Sequence, residues 1–175
     1  MDSKRLATLK ALTAHLEAEV SVANGYDLDL AGAVFRGRAV FDEADPVPCV
    51  SILDNITPDR FSERAGNNDG EQGDAYSRWV VLVQGWSTDD KKNPTDPAEQ
   101  LMAAVKKAIS VVDSDPHPMT GAAAHPNYLL GGLINGVEIE PGTVRPPDQN
   151  SSKAYFWMRV ILKFTENVRD PFDHR

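Results

Sequence analysis

His117 and His125 fall in one Pro/Gly/Ala-rich loop, with Asp113 and Asp115 just before them. Two imidazoles and a carboxylate could hold a zinc-type ion, so one reading is a small metal-dependent hydrolase using His117, His125 and Asp115. The spacing argues against it: there is no HxxxH or HExxH pair and no cysteine ligand beside them, and metal sites seldom rest on so loose a framework. His15 lies beside the leucines of the first helical segment, where a half-exposed histidine reads as structural. Cys49 sits inside a predicted strand between Pro48 and Val50, the place of a small packed hydrophobe more than of a nucleophile. GxSxG, Walker A and GxGxxG are all missing, and "GGLINGVEIEPG" has no following helix to bind a phosphate, so its glycines read as turns. The expectation is a non-enzyme with no catalytic, metal or cofactor-binding residues.

One charged stretch is left, "VFRGRAVFDEADPVPCVSI" from Val34 to Ile52. Arg36 and Arg38 are followed closely by Asp42, Glu43 and Asp45. Groups this dense can make a catalytic site, a salt-bridged turn or a surface that recognises another protein. Asp42 and Asp45, with Asp-Pro chemistry, suit the turn in any case.

The elements around it can be read from periodicity. Leu6, Leu9, Leu12, Leu16 and Val20 recur at helical spacing behind Ser3, a suitable cap, and Asn24-Gly25 ends that helix. Alternation from Ala33 to Phe41 predicts a strand with Arg36 and Arg38 on one face and Phe35, Ala39 and Phe41 on the other. Val47 to Leu53 follows as a second strand, joined to the first as an antiparallel hairpin by "DEADP". Tyr76 to Trp86 is apolar on both faces and reads as the central strand. Asp96-Pro97-Ala98-Glu99 opens a second helix with Leu101, Val105, Ala108, Ile109 and Val112 on one stripe. Leu133 to Ile139 and Ala154 to Thr165 alternate as two more strands, the last with Ala154, Phe156, Met158, Val160, Leu162 and Phe164 inward.

The expected fold is therefore α+β: a mostly antiparallel β-sheet of about five strands covered by two α-helices, in a single domain of residues 1–175. A long polar loop (about 55–75), a second loop (about 114–131) and a C-terminal tail (about 167–175) lie outside these elements; both loops should be mobile in an isolated monomer. The long loop carries Asp59, Arg60, Glu63 and Arg64 with Phe61 as almost its only apolar residue, so it would order only against a neighbour, anchored by Phe61.

The balance of 18 Lys+Arg against 26 Asp+Glu gives a net charge of -8, and no basic, aromatic-interleaved window appears, so direct grasping of nucleic acid is disfavoured. The single cysteine and the start "MDSKRLATLK" suggest a reducing, cytosolic origin without a signal peptide, and no apolar run is long enough to span a membrane.

Taken in order, "RLATLKALTAHL", "GYDLDLAGAVFRGRAVFDEADPVPCVSIL", a long polar loop, "YSRWVVLVQGW", "DPAEQLMAAVKKAI" and "AYFWMRVILKFT" resemble the siphophage tail terminator proteins, the lambda-type tail-completion family. The likeness spans nearly the whole chain, and its specific part is "VFRGRAVFDEADPVPCVSI". It implies a structural virion protein of the tail and neck, assembled in the host bacterial cytoplasm. It would form a homo-oligomeric ring, usually a hexamer, that caps the tail tube and stops its polymerisation. The partners implied are the major tail tube protein and the head–tail connector or head-closure protein, with DNA only passing through an acidic lumen and no membrane involved. A closed ring needs two complementary surfaces per subunit, and Arg36 and Arg38 facing Asp42, Glu43 and Asp45 of a neighbour would supply them. Asp59, Arg60, Phe61, Glu63 and Arg64 would join that interface. The alternatives are another neck component, such as a head-closure or tail-tube protein, and the hydrolase above.

Overall fold

The structure, a computed structural model, describes residues 1–42, 44–54, 74–88, 90–114, 125–148, 151–167 and 169–174. Helix α1 spans Lys4–Glu19, strands β1, β2 and β3 span Val34–Arg36, Cys49–Asp54 and Asp74–Trp86, and helix α2 spans Asp96–Val112. A short helical turn, Leu129–Gly132, precedes β4 (Gly136–Ile139), β5 (Thr143–Arg145) and β6 (Tyr155–Asn167). The order in the sheet is β1-β2-β3-β6-β4, with β5 pairing to β6 beyond β4. All neighbours are antiparallel except β1 and β2. This is the expected α+β class, a mostly antiparallel sheet with two main helices packed against it.

β6 organises the sheet because its alternation is uninterrupted. Phe156, Met158, Val160, Leu162 and Phe164 are all at most 1 % exposed, and each pairs across to the same face of β3. Their partners Gly85, Val83, Val81 and Trp79 continue that face, and Val50 and Ile52 of β2 extend it. The helices cover this side: α2 buries Leu101, Val105, Ala108, Ile109 and Val112, the whole expected stripe, and α1 adds Leu12 and Leu16, with Val20 just past its end. On the opposite face Glu138 pairs with Arg78 and Lys163, and Glu140 with Arg159.

Several expectations are corrected. β1 and β2 do not form an antiparallel hairpin; they run parallel, with Val34 opposite Val50 and Arg36 opposite Ile52. Gly37 takes a left-handed φ of 68°, ends β1 and sends the chain back along the sheet before Cys49 starts β2 in the same direction. A parallel return needs a connection of about a dozen residues, which the span from Gly37 to Pro48 supplies. Among the described residues there are six strands, because Thr143–Arg145 pairs with β6 as β5. β4 starts at Gly136, not Leu133, and Thr95 occupies the N-cap position of α2, with Asp96 its first residue.

α1 is not the clean leucine stripe that its spacing predicts. Ser3 does cap it, accepting from the Leu6 N–H, but Leu6 is 39 % exposed while Lys4, Thr8, Thr13 and His15 are buried. Thr8 and Thr13 donate to the carbonyls of Lys4 and Leu9 on their own helix, so their hydroxyls enter the interior satisfied. Part of the expected C-terminal tail belongs to β6, which runs to Asn167; beyond it, Pro171 accepts from the Lys4 N–H at 2.8 Å. Of the second loop, His125 and Asn127 bond to α1 and Leu130 is buried in the core. Among the described residues, no helix is long and apolar enough to cross a membrane.

Candidate functional site

Because Gly37 turns with a positive φ, the strand alternation does not continue through it. Arg36 stays on the helix side of the sheet with Val34, exposed at the edge strand. The Arg38 guanidinium lies instead over the rings of Phe35 (5.2 Å) and Phe41 (4.5 Å), on the opposite face. The expectation that Arg36 and Arg38 share a face is thus overturned.

Arg38 is held by the turn it begins. Its Nη2 donates to both oxygens of Asp45, at 2.6 and 2.7 Å. Asp45 also accepts from the Asp42 N–H at 2.7 Å, and Asp42 accepts from the Ala44 N–H at 2.8 Å, an Asx-type turn. Ser51 donates to the Arg38 carbonyl, tying the turn to β2. Phe41 packs on Trp86 with centroids 4.2 Å apart, which seats the turn on the end of β3. A cavity of about 180 Å³ opens beside it, lined by Ala39, Val40, Phe41, Gln84, Trp86, Ser151 and Tyr155, and Val40 is 79 % exposed at its rim.

The Asp42 N–H is the main reason that the Asp45 carboxyl is held below the usual carboxylate value of 3.8, and Arg38 adds to it. A lowered carboxyl stabilises the turn at pH values above its ordinary range, and that contribution is lost as pH falls through the lowered value. Arg38→Ala should therefore raise the Asp45 pKa only part of the way back, because the Asp42 N–H remains. Carboxyl-carbon NMR titration of the variant checks this, and full return to 3.8 would show that the guanidinium carries the whole effect.

No family model matches the chain, and a search of curated proteins finds no match.

Of the other residues expected at an interface, Asp42 is exposed in this turn, while Glu43, Asp59, Arg60, Phe61, Glu63 and Arg64 lie outside the described residues. So do His117 and Asp115. Asp113 accepts from the Val137 N–H at 3.1 Å, occupying a donor of the edge strand β4. Among the described residues, no group of three or more His, Cys, Asp or Glu side chains could hold a metal ion. Burial lifts the Cys49 thiol to about 11, which keeps it protonated at neutral pH.

A second polar cluster, not read from the sequence, joins α1, α2 and the residues before β4. His15 is not half-exposed as its place beside the leucines suggests; it is 1 % exposed. Its Nε2–H donates to the Ala108 carbonyl at 2.7 Å, which leaves Nδ1 to accept from the Asn127 side-chain amide at 3.0 Å. The His125 ring stands edge-on to it with centroids 5.4 Å apart. Its Nε2 donates to Glu19 at 3.3 Å, and its Nδ1 accepts from the Asn127 backbone N–H at 3.2 Å. Tyr26 donates to the other Glu19 oxygen at 3.2 Å. Desolvation, with Glu19 beside it, pushes the Tyr26 phenol up to about 12.

Proposed function

We propose that this chain is a tail-terminator-type structural protein. In this reading it assembles into a ring on the end of a phage tail tube, stops the tube from growing and offers its other side to the head connector. The observation that carries the reading is the resemblance centred on "VFRGRAVFDEADPVPCVSI", in a chain whose helices and strands follow the order that the resemblance implies. Two features are consistent with it. Arg36 is exposed on the edge strand β1 and Asp42 is exposed in the turn that follows it, one cation and one anion on the surface for a neighbour to meet. The net charge of -8 suits a lumen that DNA phosphates traverse without sticking. The ring would then belong to the virion neck, built in the host cytoplasm, with the tail tube and head-closure proteins as partners.

Capping tests the proposal. Purified chain, added in small amounts to polymerising tail tube subunits, is expected to shorten the tubes in electron micrographs and to sit at one end in several copies, about six for a closed ring of this kind. Incorporation along the length of the tube would make the chain a tube protein. Unchanged tube lengths with no bound chain would overturn the reading.

A further inference from the structure

Val40 is 79 % exposed, although the turn that carries it is pinned to the sheet. Arg38 bonds both oxygens of Asp45, Ser51 donates to the Arg38 carbonyl, and the Phe41 ring packs on Trp86. An isopropyl group held in water by a rigid turn gains from burial and loses little further freedom when it docks. The exposed Asp42 carboxylate follows it; one oxygen accepts from the Ala44 N–H, and the other has no partner among the described residues.

A groove of complementary character lies by the far edge of the sheet. It is an open cavity of about 530 Å³ between α2 and the end of β4, with Ile139 and Pro141 on one wall and Lys106, Lys107 and Ser110 on the other. Its lining is mostly apolar, and lysine stems extend such a lining while their ammonium groups stay in water. Glu140, the carboxylate beside it, is already bridged to Arg159 at 3.1 Å, and Lys107 lies over the Tyr26 ring. Lys106 makes no ion pair with a described residue. The groove is thus an apolar floor under a cationic rim, and the turn is an apolar knob beside an anion. From this match we propose that the Val40–Asp42 turn of one copy of the chain docks in the α2–β4 groove of a second copy, with Val40 against Ile139 and Pro141 and the Asp42 carboxylate on Lys106.

The two surfaces do not meet within one chain. The turn seats on Trp86, on the sheet face away from the helices, whereas the groove lies on the helix-covered side beside β4, and the two share no residue. Contact between copies is therefore head-to-tail, the kind whose repetition closes a ring or runs on as a filament. It would be the subunit boundary of the ring proposed above, and its place in the virion rests on that reading. An acidic segment alone would satisfy the lysines; what selects a second copy is Val40, because the apolar walls need an apolar residue beside the carboxylate. Arg36 lies on the helix side of β1 and is not part of this contact.

Carbodiimide coupling tests the contact on the wild-type chain, because it joins a carboxylate to an ammonium only where the two touch. Concentrated protein should give a ladder of dimers and larger species, and peptides from a mixture of nitrogen-14 and nitrogen-15 chains should join Asp42 to Lys106 or Lys107 of another copy. Val40→Lys removes the knob and sets a cation against the lysines, and Lys106→Glu sets an anion against Asp42. Each variant alone should stay folded by circular dichroism and yield roughly tenfold less of that cross-link. Mixed in equal amounts, the two variants hold one intact turn and one intact groove between them, so coupling should return as dimers without a ladder. Asp42 cross-links that are absent or confined to other lysines overturn the proposal, as do variants that form the ladder like the wild type. Tube capping answers separately for the ring. A wild-type ladder through Asp42 and Lys106 without capping supports the docking and sinks the ring reading, whereas wild-type capping by Lys106→Glu without the cross-link sinks the docking and leaves the ring.

Discussion

Phe156→Ala is expected to lower the unfolding free energy by about 3–5 kcal/mol, the range for a fully buried aromatic ring. Phe156 is 0 % exposed on the helix-covered face of β6, and its cross-strand partner is Gly85. A Cβ at Gly85 would come within 2.2 Å of the Phe156 ring, so the glycine is the hollow that the ring fills. Gly85→Ala should then cost roughly 1–3 kcal/mol by overpacking, because a buried ring has nowhere to yield. The two positions are coupled: Phe156→Leu shortens the side chain toward the same hollow, and the double variant with Gly85→Ala should lose less than the sum of the singles. Urea midpoints at unchanged slope measure all four variants. Strict additivity would mean that Gly85 is there for another reason.

The same strand explains why much of the fold can be read from the sequence. In β6 the inward residues are uniformly apolar, and a one-residue slip would expose the whole set, so alternation and burial agree. α2 is legible for the same reason, with one stripe carrying no polar exception. α1 reads less well because a buried lysine, histidine and threonines interrupt its leucines, and the bonds that let them in come from its own carbonyls or from distant chain. The parallel pairing of β1 and β2 hangs on the sign of one φ at Gly37, which no hydrophobic pattern records. β5 is three residues long, too short for alternation to reveal.

The charged turn was half legible. A salt-bridged turn is one of the three readings that its composition allows, and Arg38 with Asp45 realises that reading inside a single chain. What composition could not give is which arginine the turn consumes. The histidine cluster was hidden altogether, because His15 and Glu19 of α1 meet His125 and Asn127 from far along the chain, and asparagine carries no motif. Its sequence traces are His15, which reads as a structural histidine, and His125, which the metal reading groups with His117 and Asp115; in the structure His125 pairs with a carboxylate from α1.

Arg36→Glu is expected to leave the subunit folded and to abolish its assembly on a tail tube, if the ring reading holds. The two arginines now separate cleanly. Arg38 is bound to Asp45 and stacked on Phe35 and Phe41, so reversing its charge loosens the turn before any neighbour is involved. Arg36 is exposed on the edge strand and makes no ion pair with a described residue, so its charge is free to serve a partner. Like charges set against each other at an interface cost several kcal/mol, and at about 1.4 kcal/mol per factor of ten this is roughly a hundred- to thousandfold weaker association. The surface of the isolated chain should barely register the change, because an exposed charge away from a network contributes little to stability. Circular dichroism and a urea midpoint establish the first half, and tube length with Arg36→Glu in place of the wild type establishes the second. Wild-type capping by the single Arg36→Glu variant would make Arg36 an ordinary solvated charge and move the subunit contact away from the β1 edge.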